Sequence, residues 1–111
     1  KKALQGGLRM EGKDRSLYRS FVLYGQLLTE KQREMFEDYF GLDLSLGEIA
    51  ELRGVSRQAV KDSLSHTEKQ LIYYEERLGL CARNDRIEKI MDEAGFSVEL
   101  KNKIEDLLEG R

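Results

Sequence analysis

The sequence predicts an all-α fold built around a helix-turn-helix. Charged residues make up 36% of the 111 residues and proline is absent, a composition that favours long, solvated helices. Apolar residues recur at spacings of three and four, and no segment alternates as a strand would. Residues 44–64, LSLGEIAELRGVSRQAVKDSL, read as two short helices around a glycine turn. We therefore expect a helix-turn-helix domain over residues 14–80 and a C-terminal helical hairpin over residues 84–109.

Two helices are predicted before the helix-turn-helix. Residues 1–13 hold three glycines and four basic residues, and we interpret them as a flexible arm or a remnant added for expression. Asp14 can cap a first amphipathic helix that stops near Thr29. Thr29 and Gln32 form a capping box for a second helix, which should reach Gly41 and bury its aromatic side chains. The apolar face of the first helix carries Leu17, Phe21, Tyr24 and Leu28.

The helix-turn-helix itself has a start signal for each of its helices. Ser45 and Glu48 form a capping box before the first one. Gly54 can adopt the left-handed conformation that lets the chain reverse, and Ser56 can cap the second helix.

The second helix of this pair is predicted to be a recognition helix. Val60 and Leu64 should face inward together with Ala59, which leaves polar side chains on the outer face. Such a helix can be laid into the major groove of DNA. The candidate nucleic-acid-binding residues are Ser56, Arg57, Gln58, Lys61 and Ser65.

The recognition helix should be long, because nothing before Leu78 breaks it. Its apolar seam runs on at alternating spacings of four and three, as in a coiled coil. The far end must be covered, and the candidates are the first helix, the tail hairpin or a second copy of the chain. We expect a homodimer. The candidate dimer residues are Leu71, Tyr74 and Leu78.

The tail is predicted to contain two more helices. One should span Asp85 to Ala94, with Gly95 ending it, and the last should follow Ser97. Both have an apolar face, which could pack on the domain or on a partner chain.

The charge pattern requires any nucleic-acid contact to be local. The net charge is −2 and the pI is about 5.5, so the overall field does not attract phosphate. Residues 34–52 contain no lysine or arginine, and the recognition segment offers few cations, so we expect weak binding. The acidic stretch suits a basic protein partner. The candidate partner-binding residues are Glu34, Glu37, Asp38, Glu48 and Glu51.

The sequence shows no pattern typical of an enzyme, a metal site or a cofactor site. His66 and Cys81 are far apart and have no neighbouring ligand residues, and the glycines lack a phosphate-binding spacing. One cysteine excludes an internal disulfide, and no apolar run is long enough for a membrane span. We therefore expect a cytoplasmic protein without catalytic residues.

Four segments resemble a known family. LLTEKQRE, LDLSLGEIAELRGVSRQAV, TEKQL and YYEERLGL are similar to the small bacterial helix-turn-helix proteins associated with the signal recognition particle. That resemblance covers roughly residues 17–80 and implies a core like the fourth region of sigma factors. It assigns Thr29, Lys31 and Gln32 to the start of the second helix, residues 45–50 to the positioning helix and residues 55–60 to the opening of the recognition helix. Beyond Val60 the chain departs from the family, because Ser65 and His66 stand where part of the basic face is expected.

The resemblance implies a regulatory or accessory role in targeting proteins to the membrane. The implied partners are nucleic acid, either DNA or the RNA of the signal recognition particle, and the GTPase of that particle. One alternative is a DNA-binding transcriptional regulator unrelated to protein targeting. Another is a helix-turn-helix used only to pack against other proteins.

Overall fold

Six α-helices form the part of the chain that the structure, a computed structural model, describes, which is residues 12–110. The helices are α1 (Gly12–Tyr24), α2 (Glu30–Phe36), α3 (Leu46–Arg53), α4 (Arg57–Leu78), α5 (Leu80–Glu93) and α6 (Val98–Leu108). A 3-10 turn, Gly25–Leu27, follows α1, and a π-helical turn, Glu37–Gly41, follows α2. No strand occurs within this range, so the all-α prediction is confirmed.

The predicted capping signals form. Thr29 accepts a hydrogen bond from the Gln32 backbone N–H at 3.1 Å, and the Gln32 side chain accepts one from the Thr29 N–H at 3.0 Å. The box of Ser45 and Glu48 closes in the same way, at 3.1 and 2.8 Å. These bonds satisfy N–H groups that the first turn of a helix leaves unpaired.

A first apolar cluster lies beneath the helix-turn-helix. It joins α2 and the π-helical turn to α3 and to the first half of α4, and Val55 packs against it from the angle between α3 and α4. Its buried members are Met35, Tyr39, Ile49, Ala50, Val60 and Leu64.

A second apolar cluster lies between α1, the second half of α4 and the start of α5. Its buried members are Leu17, Phe21, Tyr24, Leu28, Phe36, Leu71 and Cys81. The ring of Phe36 stacks on Phe21 at 4.2 Å and on Phe40 at 4.4 Å between centroids. Phe40 packs against both clusters, so the two clusters meet at the Phe40 ring.

The first two helical runs end where they were predicted to end, near Thr29 and at Gly41, but the last turn of each is not α-helical. α1 ends at Tyr24 and the 3-10 turn continues to Leu27, after which Arg33 donates to the carbonyl of Leu28 at 2.9 Å. After α2, the Leu42 N–H bonds to the carbonyl of Glu37 five residues earlier, which makes the π-helical turn.

The fifth helix begins at Leu80, earlier than the predicted Asp85. Gly79 takes the left-handed conformation at φ 63°, so α5 leaves α4 without a linker. The end of α5 and the Ser97 cap of α6 agree with the prediction, and no side chain of α6 is fully buried. Of the predicted arm, residues 1–11 lie outside the described residues, and residues 12 and 13 belong to α1.

Candidate nucleic-acid interface

The turn between α3 and α4 gives the molecule its helix-turn-helix geometry. Gly54 is left-handed at φ 69°, and its N–H closes α3 on the carbonyl of Ala50. The next N–H, of Val55, also bonds to the Ala50 carbonyl, at 3.0 Å. Ser56 then caps α4 by accepting from the Ala59 N–H at 3.0 Å. α4 therefore starts from a fixed angle against α3, with residues 56–59 exposed.

The outer face of the first turns of α4 carries the predicted nucleic-acid-binding residues. Arg57 and Gln58 are exposed, whereas Lys61 and Ser65 are partly covered. Val60 and Leu64 face inward as predicted. The prediction for Ala59 was wrong, since it is exposed one position before Val60, outside the stripe that α3 covers.

A hydrogen bond inside this face limits what Gln58 can offer. Its side-chain amide donates to Oδ1 of Asp62, one turn later, at 2.8 Å. A bidentate contact with an adenine edge needs both the donor and the acceptor of the amide. Asp62 therefore takes one of the two N–H donors of the Gln58 amide and leaves the other N–H and the carbonyl oxygen for a base, while the carboxylate of Asp62 itself repels phosphate.

The acidic surface predicted for a protein partner is smaller than expected. Asp38 is only 3% exposed and binds Arg53 through two hydrogen bonds, at 2.9 and 3.1 Å. The same guanidinium contacts Glu34 at 3.1 Å. The sequence reading missed Arg53, which lies just beyond the stretch without lysine or arginine. Exposed carboxylates remain at Glu37, Glu48 and Glu51.

The predicted dimer residues occupy different environments. Leu71 is fully buried in the second cluster, and Tyr74 is half-buried beside Tyr24, with 6.0 Å between the ring centroids. Of the candidates for covering the seam, α1 lies over this part of α4. Leu78 is 56% exposed.

The described residues bring no set of metal ligands together. No group of three or more His, Cys, Asp or Glu side chains within residues 12–110 could hold a metal ion. Cys81 is buried, and burial raises the pKa of its thiol. His66 is exposed on α4. Over the same range, no helix has the length and apolar character needed to cross a membrane.

Gly47 is a residue of this interface that the sequence reading did not single out. It lies in the first turn of α3, and the guanidinium of Arg57 occupies the space where its β-carbon would stand. The available signal was a glycine inside a helix, where no turn or positive φ requires one.

The comparisons with known proteins agree with this architecture. Residues 12–110 match the family described as "Putative helix-turn-helix protein, YlxM / p13 like". A UPF0122 protein of Thermoanaerobacter sp. (strain X514) is 48% identical over 80 residues, which cover 72% of this chain and 68% of the relative. A UPF0122 protein of Clostridium botulinum (strain Alaska E43 / Type E3) is 48% identical over 81 residues, 73% of this chain and 72% of the relative.

The match to a third relative covers a larger share of both chains. A UPF0122 protein of Halalkalibacterium halodurans is 43% identical over 88 residues, which cover 79% of this chain and 81% of the relative. Together with the match over residues 12–110, these similarities identify the family. The chain belongs to the UPF0122 family of YlxM / p13-like helix-turn-helix proteins.

Proposed function

We propose that this protein is a regulatory nucleic-acid-binding protein without enzymatic activity, which inserts the first turns of α4 into a groove of duplex DNA. One observation carries the proposal: α4 exposes Arg57 and Gln58 while α3 packs against its other face. The major groove of B-form DNA is about 12 Å wide and admits a helix, whereas the major groove of A-form RNA is too narrow for side chains to read. The geometry therefore favours DNA.

The affinity should be modest and strongly dependent on salt. The outer face of α4 combines the cations Arg57, Lys61 and Lys69 with the carboxylates of Asp62 and Glu68. Each phosphate that the protein neutralises adds about 0.9 to the slope of log affinity against log salt concentration. With two or three such contacts, the slope should be about −2 to −3.

The test is a titration of labelled duplex DNA at several salt concentrations. Arg57→Ala combined with Lys61→Ala should weaken binding about equally for unrelated sequences and reduce the slope by roughly 2. The matched control is Lys89→Ala with Lys103→Ala, which removes two exposed cations from α5 and α6. If the parent does not bind at low salt, or if both double variants lose the same affinity, the proposal is wrong.

A finer proposal places the protein in the signal recognition particle pathway, as an accessory factor that binds the GTPase of the particle. It rests on the resemblance of residues 17–80 and on the exposed carboxylates of Glu37 and Glu51. The GTPase has an RNA-binding region, which must be basic and would suit an acidic surface. The competing proposal is a transcriptional regulator unrelated to protein targeting.

Purified components separate these two proposals. The chain and the GTPase are mixed after nuclease treatment, with and without the RNA of the particle. For an accessory factor, Glu37→Lys with Glu51→Lys should abolish binding, whereas Glu93→Lys with Glu99→Lys in the tail should not. Binding to duplex DNA alone, with no affinity for the GTPase or the RNA, supports the transcriptional regulator.

We also propose that the protein forms a homodimer. Leu78 at the end of α4 and Leu107 in α6 are 56% and 75% exposed, so apolar surface remains on the single chain. Leu71 is unsuitable for a test because its substitution would disrupt the buried cluster. Sedimentation equilibrium at tens of micromolar should give a dimer for the parent and a monomer for Leu78→Glu with Leu107→Glu. A monomeric parent contradicts the proposal.

A further inference from the structure

The guanidinium of Arg57 lies beside Gly47. A β-carbon built on Gly47 would be 2.9 Å from an Nη atom of Arg57, 3.0 Å from its Nε and 3.1 Å from its Cζ. The guanidinium therefore occupies the space that a side chain at position 47 would take. Any larger side chain at position 47 would displace it.

Gly47 has no backbone reason to be glycine. It lies in the first turn of α3 and does not have the positive φ of Gly54 or Gly79. Glycine is among the least favourable residues within a helix, and alanine is the most favourable. The contact with Arg57 supplies the missing reason, because glycine alone leaves room for a side chain to cross the helix at this point.

Arg57 keeps its donors available in this position. Among residues 12–110, no hydrogen bond or ion pair engages its guanidinium, and the side chain is exposed. The group therefore lies in the space that Gly47 leaves open, while its five N–H donors stay free for a ligand. A guanidinium confined to this space would bind an anion with less loss of conformational entropy than one that moves freely.

We propose that Gly47 is a positioning residue that holds Arg57 against a phosphate of duplex DNA, so that Arg57 contacts the backbone rather than a base. In a helix-turn-helix, the first helix crosses the sugar-phosphate backbone and the second enters the groove. Arg57 belongs to α4, but its guanidinium lies beside the first turn of α3, the helix that would cross the backbone. The DNA bases would then be recognised by residues further round α4, such as Gln58. This proposal rests on the proposed function.

The variant Gly47→Ala tests this proposal, because it should weaken DNA binding without lowering the stability of the fold. Affinity for labelled duplex DNA should fall about 2- to 10-fold, since Arg57 must be ordered on binding. The loss should be the same for unrelated sequences, and the salt slope should decrease by up to about 0.9. The melting temperature should not fall, because alanine favours the helix and the displaced group is the end of a flexible side chain.

Arg57→Ala and the double variant, Gly47→Ala with Arg57→Ala, complete a double-mutant cycle. Arg57→Ala alone should cost at least as much affinity as Gly47→Ala, and adding Gly47→Ala to it should cost nothing more. Gly41→Ala is the matched control, since a β-carbon there would displace only the carboxylate of Glu37, at 2.6 Å. Its affinity should stay within about twofold of the parent.

An NMR measurement keeps the role of Gly47 testable apart from binding. Relaxation of the Arg57 Nε–H should show an ordered group in the free parent and a mobile one in Gly47→Ala. Equal mobility in both, additive losses in the cycle, or a change of sequence preference in Arg57→Ala would overturn the proposal. A parent that binds no DNA contradicts the proposed function and this proposal together, whereas a binding parent whose affinity Gly47→Ala leaves unchanged contradicts this one alone.

Discussion

Tyr24 in α1 and Glu75 in α4 share a hydrogen bond of 2.6 Å, in which the phenol donates to the carboxylate. The phenol oxygen also accepts from the backbone N–H of Leu80 at 2.9 Å. Glu75 accepts from the N–H groups of Cys81 and Ala82, at 3.0 and 3.1 Å. Side chains from two other helices thus satisfy the first turn of α5 and fix the direction in which it leaves α4.

Tyr24→Phe should lower the free energy of unfolding by about 1 to 3 kcal/mol, because it leaves the Leu80 N–H without its acceptor and removes a donor from Glu75. Urea denaturation measures the change. Tyr73→Phe is the control: Tyr73 is half exposed and its ring contact with Arg77 survives, so the cost should stay below about 0.5 kcal/mol. Equal costs for both variants would show that the Tyr24 hydroxyl does not stabilise the fold.

The stability that Glu75 provides should disappear in acid. Burial by itself would raise the pKa of Glu75, but the hydrogen bonds from Tyr24, Cys81 and Ala82 together outweigh it and lower that pKa below 4.5. A lowered pKa in the folded state contributes stability above pH 4.5 that is lost as the pH falls through the folded-state value. Glu75→Gln should therefore be less stable than the parent at neutral pH, and the difference should narrow below pH 4.5. Thermal melts across this range decide it, and a constant difference contradicts the prediction.

Loss of Arg53 should be far more costly than loss of Glu34. Arg53→Ala leaves the buried carboxylate of Asp38 without its bidentate partner, at an expected cost of about 2 to 4 kcal/mol. The guanidinium is partly exposed, which keeps the cost below that of a fully buried pair. Glu34→Gln removes only the exposed ion pair and should cost less than about 1 kcal/mol. Chemical denaturation compares the two variants, and similar costs would contradict this account.

The stability of the first apolar cluster should depend more on the buried side chain of Ile49 than on the Ser45 cap of α3. Ile49 is fully buried, so Ile49→Ala should cost about 2 to 5 kcal/mol. Ser45→Ala removes one capping hydrogen bond and should cost about 1 kcal/mol. Thermal melts of both variants test the order, and negligible shifts in both would exclude the described packing of α3.

Local signals predicted the helix-turn-helix well. Ser45, Gly54 and Ser56 act on N–H and C=O groups within five residues of themselves, and the sequence displays such short-range chemistry directly. The exposed donors of the recognition helix were predictable for the same reason, since Val60 and Leu64 define the buried stripe.

The remaining features depend on contacts between distant segments. The start of α5 was missed because its caps, Tyr24 and Glu75, lie 56 and 6 residues from the groups they bind, and no local cap marks it. The burial of Asp38 follows from Arg53, 15 residues away, together with the π-helical turn that brings it inward. The contact of Gly47 with Arg57 likewise requires the angle between two helices.

The ring of Phe40 has a thermodynamic consequence for ligand binding. It packs against both apolar clusters, so the helix-turn-helix cannot melt without exposing part of the cluster under α1. Unfolding should therefore be cooperative across both clusters. A ligand that touches only the start of α4 then raises the melting temperature of the whole molecule, by a free energy set by its concentration relative to its Kd. Protection against hydrogen exchange should rise accordingly in α1, which packs on the other apolar cluster.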